Sequence, residues 1–240
     1  MDATKKEHIV TILNQEEIAS KIYNMVLDAP EIANTASPGQ FVHIQCPDGF
    51  LRRPISICDC LDGKLRIIYR AEGKGTQSLS RLKSGDSISL LGPLGHGFTP
   101  VSGRTIVIGG GLGVFPLLYL SKQLENPIVL LGFSSQNVVC LDQDFLHPRI
   151  FTDDGTFGEK GFVTEGLLEE IKKEKPVMIY ACGPTPMLDR VEMIAKEHRI
   201  DYEVSLEERM GCGVGACLVC NCERDGKYRR VCKDGPVFRG

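Results

Sequence analysis

The 240-residue sequence lacks the features that would attach it to a nucleic acid or a membrane. Its 28 Lys and Arg residues and 31 Asp and Glu residues are scattered, without a basic arm or an acidic tail, and its formal net charge is −3. Such a balance gives no electrostatic footprint for nucleic acid. The longest apolar stretch, residues 105–120, is interrupted by four glycines, and it falls short of the ~20 apolar residues that a membrane-spanning helix needs.

The sequence also lacks an apolar signal region in its first seven residues, which read Met-Asp-Ala-Thr-Lys-Lys-Glu. A disulfide framework is therefore disfavoured, since disulfides persist in secreted proteins and a chain of this length can build a core without them. The ten cysteines instead indicate a reducing compartment, in which thiols serve as metal ligands or as small buried groups. We expect a cytoplasmic protein.

Four of the cysteines lie in the last thirty residues with the spacing C-x4-C-x2-C…C. This spacing holds a plant-type [2Fe–2S] cluster through four thiolates. The intervening glycines leave the backbone free to turn tightly and to aim N–H groups at sulfur. A structural zinc site is the alternative, but it prefers paired C-x2-C units, and only one such pair is present. Cys222 is predicted to be a spare thiol, and the predicted cluster ligands are Cys212, Cys217, Cys220 and Cys232.

Residues 1–100 have the sequence pattern of a small antiparallel β-barrel, because short runs of β-branched and apolar residues are separated by turn signals. One short helix, over residues 76–82, is predicted to interrupt the strands. The predicted strands are residues 8–13, 22–27, 40–45, 55–58, 65–70 and 87–91.

Two places in this barrel have the residues of a flavin site. Arg53-Pro54-Ile55-Ser56 sets a cation and a hydroxyl at the start of a strand, where they can meet a phosphate and a flavin ring edge. Gly75-Thr76 then leads a glycine-lined turn into a helix, whose N-terminal N–H groups favour an anion such as a pyrophosphate. Each signal alone is weak, and an edge strand or an ordinary helix start would explain it; their conjunction is what favours a cofactor.

Residues 101–206 alternate strands with helices, which predicts a parallel sheet with crossover helices. The predicted helices are residues 114–124, 138–145, 164–174 and 186–198, the last with Thr185 as its N-cap. The five predicted strands are residues 105–108, 128–131, 149–152, 177–181 and 202–206.

A glycine run, Gly109-Gly110-Gly111-Leu112-Gly113, stands between the first of these strands and its helix. This is the context of a dinucleotide-phosphate loop, although the run is not a strict G-x-G-x-x-G. The segment after the second strand has neither the acidic residue that usually binds an unphosphorylated ribose nor an arginine for a 2′-phosphate, so only the missing cation favours NAD over NADP. Asp153, at the end of the third strand, could meet the nicotinamide ribose or cap its turn.

These residues resemble the ferredoxin–NADP reductase superfamily, whose flavin barrel carries R-x-Y-S/T followed by a glycine-containing turn into a helix. Ile55 stands here in place of the aromatic residue. The resemblance implies that Ile68, Tyr69 and Arg70 also line the flavin, with Tyr69 as the candidate stacking ring. It further implies that Cys182-Gly183-Pro184 lies near the nicotinamide and flavin rings, and Cys182 is the candidate catalytic residue.

The order of barrel, nucleotide domain and cysteine segment (1–100, 101–206 and 207–240) resembles the electron-transfer subunit family of class B dihydroorotate dehydrogenases along the whole chain. The resemblance implies FAD, a [2Fe–2S] cluster and NAD as cofactors, and an FMN-containing partner of TIM-barrel fold in a heterotetramer with two of each chain. Electrons from dihydroorotate oxidation in pyrimidine biosynthesis would pass to NAD+. The cluster would lie at the subunit contact, with Leu218, Val219 and Phe238 as candidate interface residues.

A flavin is the expected converter between a two-electron nicotinamide and a one-electron cluster. The chain shows no pocket pattern for an organic substrate with its own acid and base, so the substrate site is expected on a partner. Two alternatives stay open. One is the flavin subunit of a sulfhydrogenase or of a ferredoxin-dependent NADP reductase, and the other is a nucleotide-binding interaction module with structural zinc.

Overall fold

A computed structural model describes residues 6–224 and 226–240. By their internal contacts the residues form two compact units. One comprises residues up to Gly97 together with Glu207–Val237, and the other comprises Phe98–Leu206 and Phe238–Gly240. The three-part division by cofactor therefore remains a prediction. Within the described residues, no helix is long and apolar enough to cross a membrane.

Six antiparallel strands close into a barrel in the order β1-β2-β5-β4-β3-β6. Leu27, Val42, Ile57 and Leu90 are among the side chains wholly buried in its core, and each belongs to one of the predicted apolar runs. Two short helices follow β2 and β5: α1 (Pro30–Ala33) and α2 (Lys74–Leu79). The strands are β1 (Glu7–Ala19), β2 (Ile22–Asp28), β3 (Phe41–Ile44), β4 (Arg53–Leu61), β5 (Lys64–Arg70) and β6 (Ser87–Leu94).

Several elements of the barrel differ from prediction. Helix α1 was not predicted, β4 extends on both sides of residues 55–58, and β6 extends beyond residue 91. Strand β1 runs six residues beyond residue 13, because its polar second half continues to pair with β2 across two irregularities in register. Helix α2 begins two residues before Thr76 and ends at Leu79. The hydroxyl of Thr76 accepts hydrogen bonds from the N–H groups of Glu72 and Gly73, 3.1 and 3.2 Å away. Thr76 therefore caps the helix from inside its first turn, an arrangement that satisfies otherwise orphaned donors.

The second unit is built on parallel strands in the order β9-β8-β7-β11-β12, with β10 outside β9. Three helices cross between these strands: α3 (Phe115–Ser121), α4 (Val163–Lys173) and α5 (Thr185–Glu197). The combination of barrel and parallel sheet confirms the predicted fold class. The strands are β7 (Thr105–Gly110), β8 (Ile128–Phe133), β9 (Arg149–Thr152), β10 (Glu159–Lys160), β11 (Met178–Cys182) and β12 (Asp201–Ser205).

Three local predictions in this unit were wrong. The helix predicted over residues 138–145 is replaced by the 3₁₀ turns Gln136–Val138 and Asp142–Asp144, because Leu141 takes the left-handed conformation (φ 63°), which an α-helix cannot contain. The helix predicted over residues 114–124 is shorter, because α3 spans Phe115–Ser121 and follows a 3₁₀ turn, Gly111–Val114. The N-cap of α5 is Pro184 rather than Thr185.

The C-terminal segment forms a hairpin of β13 (Asn221–Arg224) and β14 (Lys227–Arg230), a short helix α6 (Val231–Asp234) and the strand β15 (Val237–Arg239). Strand β15 joins the sheet beside β12, so the sheet has seven strands rather than the predicted five. Both additional strands, β10 and β15, are two or three residues long, too short to leave a periodic pattern. The segment also returns to the barrel, since the His96 N–H donates to the Gly235 carbonyl at 2.6 Å.

Candidate cofactor sites

The predicted cluster cysteines are arranged as two pairs. The backbone N–H of Cys212 donates to the sulfur of Cys217 at 3.4 Å, and the N–H of Cys232 donates to the sulfur of Cys220 at 3.4 Å. Among residues 6–224 and 226–240, no three Cys, His, Asp or Glu side chains are grouped as ligands of a single metal ion. Two pairs of thiols supply two ligands to each of two irons, which is the protein donor set of a [2Fe–2S] cluster.

Backbone N–H groups surround the sulfurs of these cysteines. The Cys212 sulfur accepts from Val214 at 3.4 Å, Ala216 at 3.2 Å and Cys217 at 3.4 Å. The Cys232 sulfur accepts from Gly215 at 3.1 Å. Such a nest of N–H groups favours negative charge on the sulfurs. The loop therefore fits an anionic iron–sulfur cluster in both its donor set and its backbone.

Cys212 and Cys232, one thiol from each pair, differ in acidity. Burial opposes ionisation of Cys212, but the N–H groups of Val214, Cys217 and Ala216 outweigh it and lower the pKa of Cys212 to about 6. Burial and the neighbouring Cys220 thiol raise the pKa of Cys232 to about 12. Metal binding requires thiolates, so the lowered pKa prepares Cys212 for ligation, whereas the raised pKa of Cys232 makes its ionisation depend on metal binding.

The predicted flavin signals come together in the barrel. A methyl group on Gly75 would lie 3.3 Å from Nε of Arg53, so the guanidinium lies against the first turn of α2. Arg53 is fixed there by donating to the carbonyl of Leu51 at 2.8 Å and to the carbonyl of Arg52 at 3.2 Å. A held guanidinium beside helix N–H groups is a site for a phosphate or pyrophosphate. The two sequence signals, the Arg53 segment and the Gly75 turn, therefore lie next to each other in the structure.

The rest of the predicted flavin residues occupy β4 and β5. Pro54, Ile55 and Ser56 are all half-exposed, without the alternation of a strand that faces a core on one side and solvent on the other. Tyr69 is 3% exposed; its ring stacks on Tyr23 with centroids 5.8 Å apart, and its hydroxyl donates to Gln15 at 3.0 Å. One face of Tyr69 is therefore occupied by the barrel itself. Beside it, Ile68 is buried and Arg70 forms an ion pair with Glu72.

The predicted nucleotide residues meet at the carboxyl ends of β7 and β11. Gly109 is paired with Cys182 in the parallel ladder. A methyl group on Gly113 would lie 2.5 Å from the carbonyl carbon and oxygen of Cys182 and 2.6 Å from Cα of Gly183. The two loops are thus in backbone-to-backbone contact, which only glycine allows.

The two neighbouring glycines of this loop differ in how much space surrounds them. A methyl group on Gly110 would lie 3.0 Å from Pro184 and 2.5 Å from the sulfur of Met187, whereas Gly111 has open space around it and a φ of +54°. Cys182 is 1% exposed. Asp153 is exposed at the end of β9, while the neighbouring Asp154 caps the turn by accepting from the backbone and hydroxyl of Thr156.

The sequence interpretation missed His43, which lies beneath the cluster loop. A methyl group on Gly213 would lie 2.6 Å from Nδ1 of His43. Burial, and then the charge of Arg52, lower the pKa of His43 to about 4; the main chains of Cys212 and Arg52 oppose that shift. The available signal was a polar residue within Phe-Val-His-Ile, a strand buried at every position.

Comparisons with known proteins agree with this geometry. Residues 207–240 match the model of the iron-sulfur cluster binding domain of dihydroorotate dehydrogenase B. The whole chain is similar to curated proteins named dihydroorotate dehydrogenase B (NAD(+)), electron transfer subunit. The protein from Geobacillus thermodenitrificans is 43% identical, over 96% of this chain and 95% of its own length. The protein from Bacillus velezensis is 44% identical, over 98% and 97%.

Solved structures share the fold. A chain from the NADH-dependent reduced ferredoxin-NADP oxidoreductase aligns over 100% of this chain and 90% of its own length, with a TM-score of 0.86 and 28% identity. A ferredoxin NADP+ reductase from Neisseria gonorrhoeae, solved with bound FAD and NADP, aligns over 80% of this chain and 92% of its own length, with a TM-score of 0.66 and 17% identity. The first of these alignments includes the cysteine segment, because it covers the entire chain.

Proposed function

From the premise that this chain belongs to the family of dihydroorotate dehydrogenase B electron transfer subunits, we propose that it carries electrons from a dihydroorotate-oxidising partner chain to NAD+. The observation that carries the proposal is the pairing of four cysteines within a nest of N–H groups, in the same compact unit as the Arg53 and Gly75 anion site. When bound, FAD converts the two-electron chemistry of nicotinamide into the one-electron steps that a [2Fe–2S] cluster carries.

The barrel is proposed to bind FAD through a small set of fixed groups. Arg53 is prevented from swinging away by its bonds to two carbonyls, and it would neutralise the pyrophosphate beside the N–H groups of α2. Since the Thr76 hydroxyl already caps the helix, Thr76 would contribute its backbone N–H. The half-exposed Ser56 and the β5 residues Ile68–Arg70 would face the isoalloxazine ring.

The second unit is proposed to bind NAD with its glycine loop, over which backbone N–H groups are accessible because side chains are absent. Gly111, with open space around it, is where a pyrophosphate would approach most closely. Asp153 would accept hydrogen bonds from a ribose hydroxyl. Cys182, together with Gly183 and Pro184, is proposed to shape the surface on which the nicotinamide ring rests and to keep water from it.

A partner chain is proposed to dock over the cluster loop. Leu218 and Val219 follow Cys217 directly and are each 57% exposed, and such adjacent apolar side chains gain stability when an interface covers them. Phe238 is only half-exposed in its strand, so it is the weaker of the interface candidates. We propose an FMN-containing partner of TIM-barrel fold, two copies of each chain, and a cytoplasmic complex.

The proposal is tested by copurifying the chain with its partner and measuring iron, sulfide, FAD and FMN. We expect two irons and two sulfides with FAD on this chain, FMN on the partner, and dihydroorotate-dependent reduction of NAD+ only when both chains are present. Zinc in place of iron, with no flavin colour, would refute the relay and favour the interaction module.

A second candidate is favoured by the full-length alignment with the NADH-dependent reduced ferredoxin-NADP oxidoreductase chain. In that case the partner recovered would bind NADP and exchange electrons with ferredoxin, as would be expected of a glutamate-synthase-like or related chain. The same preparation decides between the candidates, because reduced ferredoxin and NADP would then replace dihydroorotate and NAD+ in the working assay. A hydrogenase chain in the pull-down would instead indicate a sulfhydrogenase.

A further inference from the structure

His43 is a buried histidine whose ring is not satisfied by the protein. The side chain lies on β3 and is 1% exposed. Neither Nδ1 nor Nε2 has a hydrogen-bond partner among residues 6–224 and 226–240. The backbones of Cys212 and Arg52 lie close enough to the ring to favour its protonated form, but neither meets the distance and angle of a hydrogen bond to Nδ1 or Nε2. Buried polar groups in folded proteins are almost always paired, so an orphaned imidazole needs an explanation.

The ring of His43 is directed at the cluster loop. A methyl group on Gly213 would approach Nδ1 at 2.6 Å and Cε1 and Cγ at 3.2 Å, so the imidazole fills the space that the missing side chain leaves. Gly213 immediately follows Cys212, whose sulfur already accepts three backbone N–H groups. The backbone of His43 also pairs with Pro54 in the proposed flavin strand. The ring therefore lies against the cysteine loop, and its strand is paired with the proposed flavin strand.

The missing partner must be an acceptor. Neutral or protonated, an imidazole carries at least one N–H, and only 1% of this residue is exposed to bulk water. The sulfurs of an iron–sulfur cluster are acceptors, and hydrogen bonds to them are one of the terms that set its reduction potential. The contact with the residue after a ligand favours the cluster over the flavin as the group that this N–H meets.

We propose that His43 is a positioning residue of the cluster site, donating a ring N–H to a cluster sulfur and supporting the loop at Gly213. The inference rests on the proposed function in one respect, namely that a [2Fe–2S] cluster occupies these cysteines. A hydrogen bond to sulfur stabilises the added electron of the reduced cluster, so His43 raises the reduction potential and keeps the loop in register with the barrel.

The first test uses the unaltered full-length chain. The sequence has five histidines, of which His43 is one. Protein grown with ¹⁵N-histidine and ¹⁴N elsewhere therefore carries the label at those five residues alone. Pulsed electron paramagnetic resonance of the reduced cluster should then show a weak ¹⁵N coupling, which His96→Gln retains and His43→Leu removes. A fully loaded cluster with no histidine nitrogen coupling would overturn the inference.

The second test is the cluster's midpoint potential in variants. His43→Leu keeps an apolar side chain of similar bulk without a donor, and it should shift the potential downward. His43→Asn and His43→Gln place an amide N–H near the positions of Nδ1 and Nε2, and one of them should restore the potential. An unchanged potential in His43→Leu, or a shift confined to the flavin, would contradict the inference.

Failure of the proposed function gives a different result. In that case iron and sulfide would be absent from the unaltered chain, before any histidine is changed. If His43→Leu alone fails to retain a cluster, His43→Asn and His43→Gln replace it in assigning the coupling seen in the unaltered chain, since both also lack the labelled ring.

Discussion

The cluster loop and the nucleotide loop are both rich in glycine, but their glycines face different obstacles. In the nucleotide unit, a side chain on Gly113 would strike the backbone of Cys182 and Gly183. In the cluster loop, a side chain on Gly213 would strike the ring of His43, and one on Gly215 would strike the aliphatic chain of Lys233. Backbone atoms at the ends of two paired strands cannot move aside, whereas side chains can be changed. The nucleotide loop is therefore fixed by its own fold, and the cluster loop by groups that other residues or a metal supply.

The comparison also separates two kinds of stabilisation. The nucleotide unit has a core of buried strands and helices and a charged network in which Glu170 bonds Arg104, Arg149 and Lys173. The cluster segment has one short hairpin, one short helix and five cysteines, four of them the predicted ligands. A segment with so little core usually needs a metal or a disulfide to be stable. We expect the segment to depend on iron and the nucleotide unit to be indifferent to it.

The largest effect is expected from Cys217→Ser. The change removes one ligand of the exposed pair, so electron transfer to the partner should fall by more than the roughly 10–100-fold that loss of an outer-shell metal partner costs. NADH oxidation by artificial two-electron acceptors should be largely intact, because the flavin and nucleotide sites do not use Cys217. Steady-state assays with partner and with dye measure the two activities.

Cys222→Ser is the matched control for that experiment. Cys222 lies on β13, opposite Arg229 in the hairpin, and it is not one of the paired thiols. The control should retain iron, sulfide and both activities. Equal loss of both activities in Cys217→Ser would contradict the proposed division of labour between the two regions.

The next effect is expected from Gly113→Ala in the nucleotide unit. Its methyl group would meet three backbone atoms within 2.6 Å, so the strand ends must separate, at a cost of about 3 kcal/mol. Calorimetry should show a lower unfolding transition, and NADH oxidation should fall while the iron content is unchanged. Gly111→Ala is the control, since it has open space and only a left-handed backbone to strain, at about 1 kcal/mol. Equal destabilisation by the two changes would show that contact is not the cause.

The sequence predicted the parts of the molecule that depend on local signals. Turn residues marked the barrel strands, and the spacing of cysteines marked the four thiols that lie in two pairs, whose role as cluster ligands stays a prediction. The prediction of a helix at 138–145 was wrong because Leu141 adopts a left-handed conformation. Glycine or asparagine at that position would have been a sequence signal for it, and leucine is not. His43 was missed because its role depends on a contact with Gly213, 170 positions away in the chain, which composition and periodicity do not record.

A smaller effect is expected from Glu170→Gln. Burial would raise the pKa of Glu170, but the charges and hydrogen bonds of Lys173 and Arg149 outweigh it, so its pKa lies below the usual value. A carboxylate with a lowered native pKa stabilises the fold above its unfolded pKa, which is about 4.3, and loses that contribution as the pH falls through the native value.

The substitution should therefore destabilise the nucleotide unit by about 2 kcal/mol at neutral pH. The difference between the two proteins should shrink below about pH 4, where the wild-type carboxylate also becomes protonated. Thermal unfolding across a pH series measures both. A pH-independent difference would indicate that Glu170 acts through packing, and a loss of cluster iron would contradict the separation of the two regions.

The smallest change tests the comparison most directly. Gly213→Ala should destabilise the loaded cluster loop by about 1–2 kcal/mol. The causes are a close contact between the new methyl group and His43 and a backbone φ of +71° at this position. Because the obstacle is a side chain, His43→Ala combined with Gly213→Ala should recover about 1 kcal/mol relative to the sum of the single changes, as contacting residues do. Cluster retention during chelator challenge, measured by visible absorbance, gives the four values of the cycle. Additive costs would mean that the strained backbone alone requires glycine at 213, and the cluster loop would then resemble the nucleotide loop in being fixed by its own backbone.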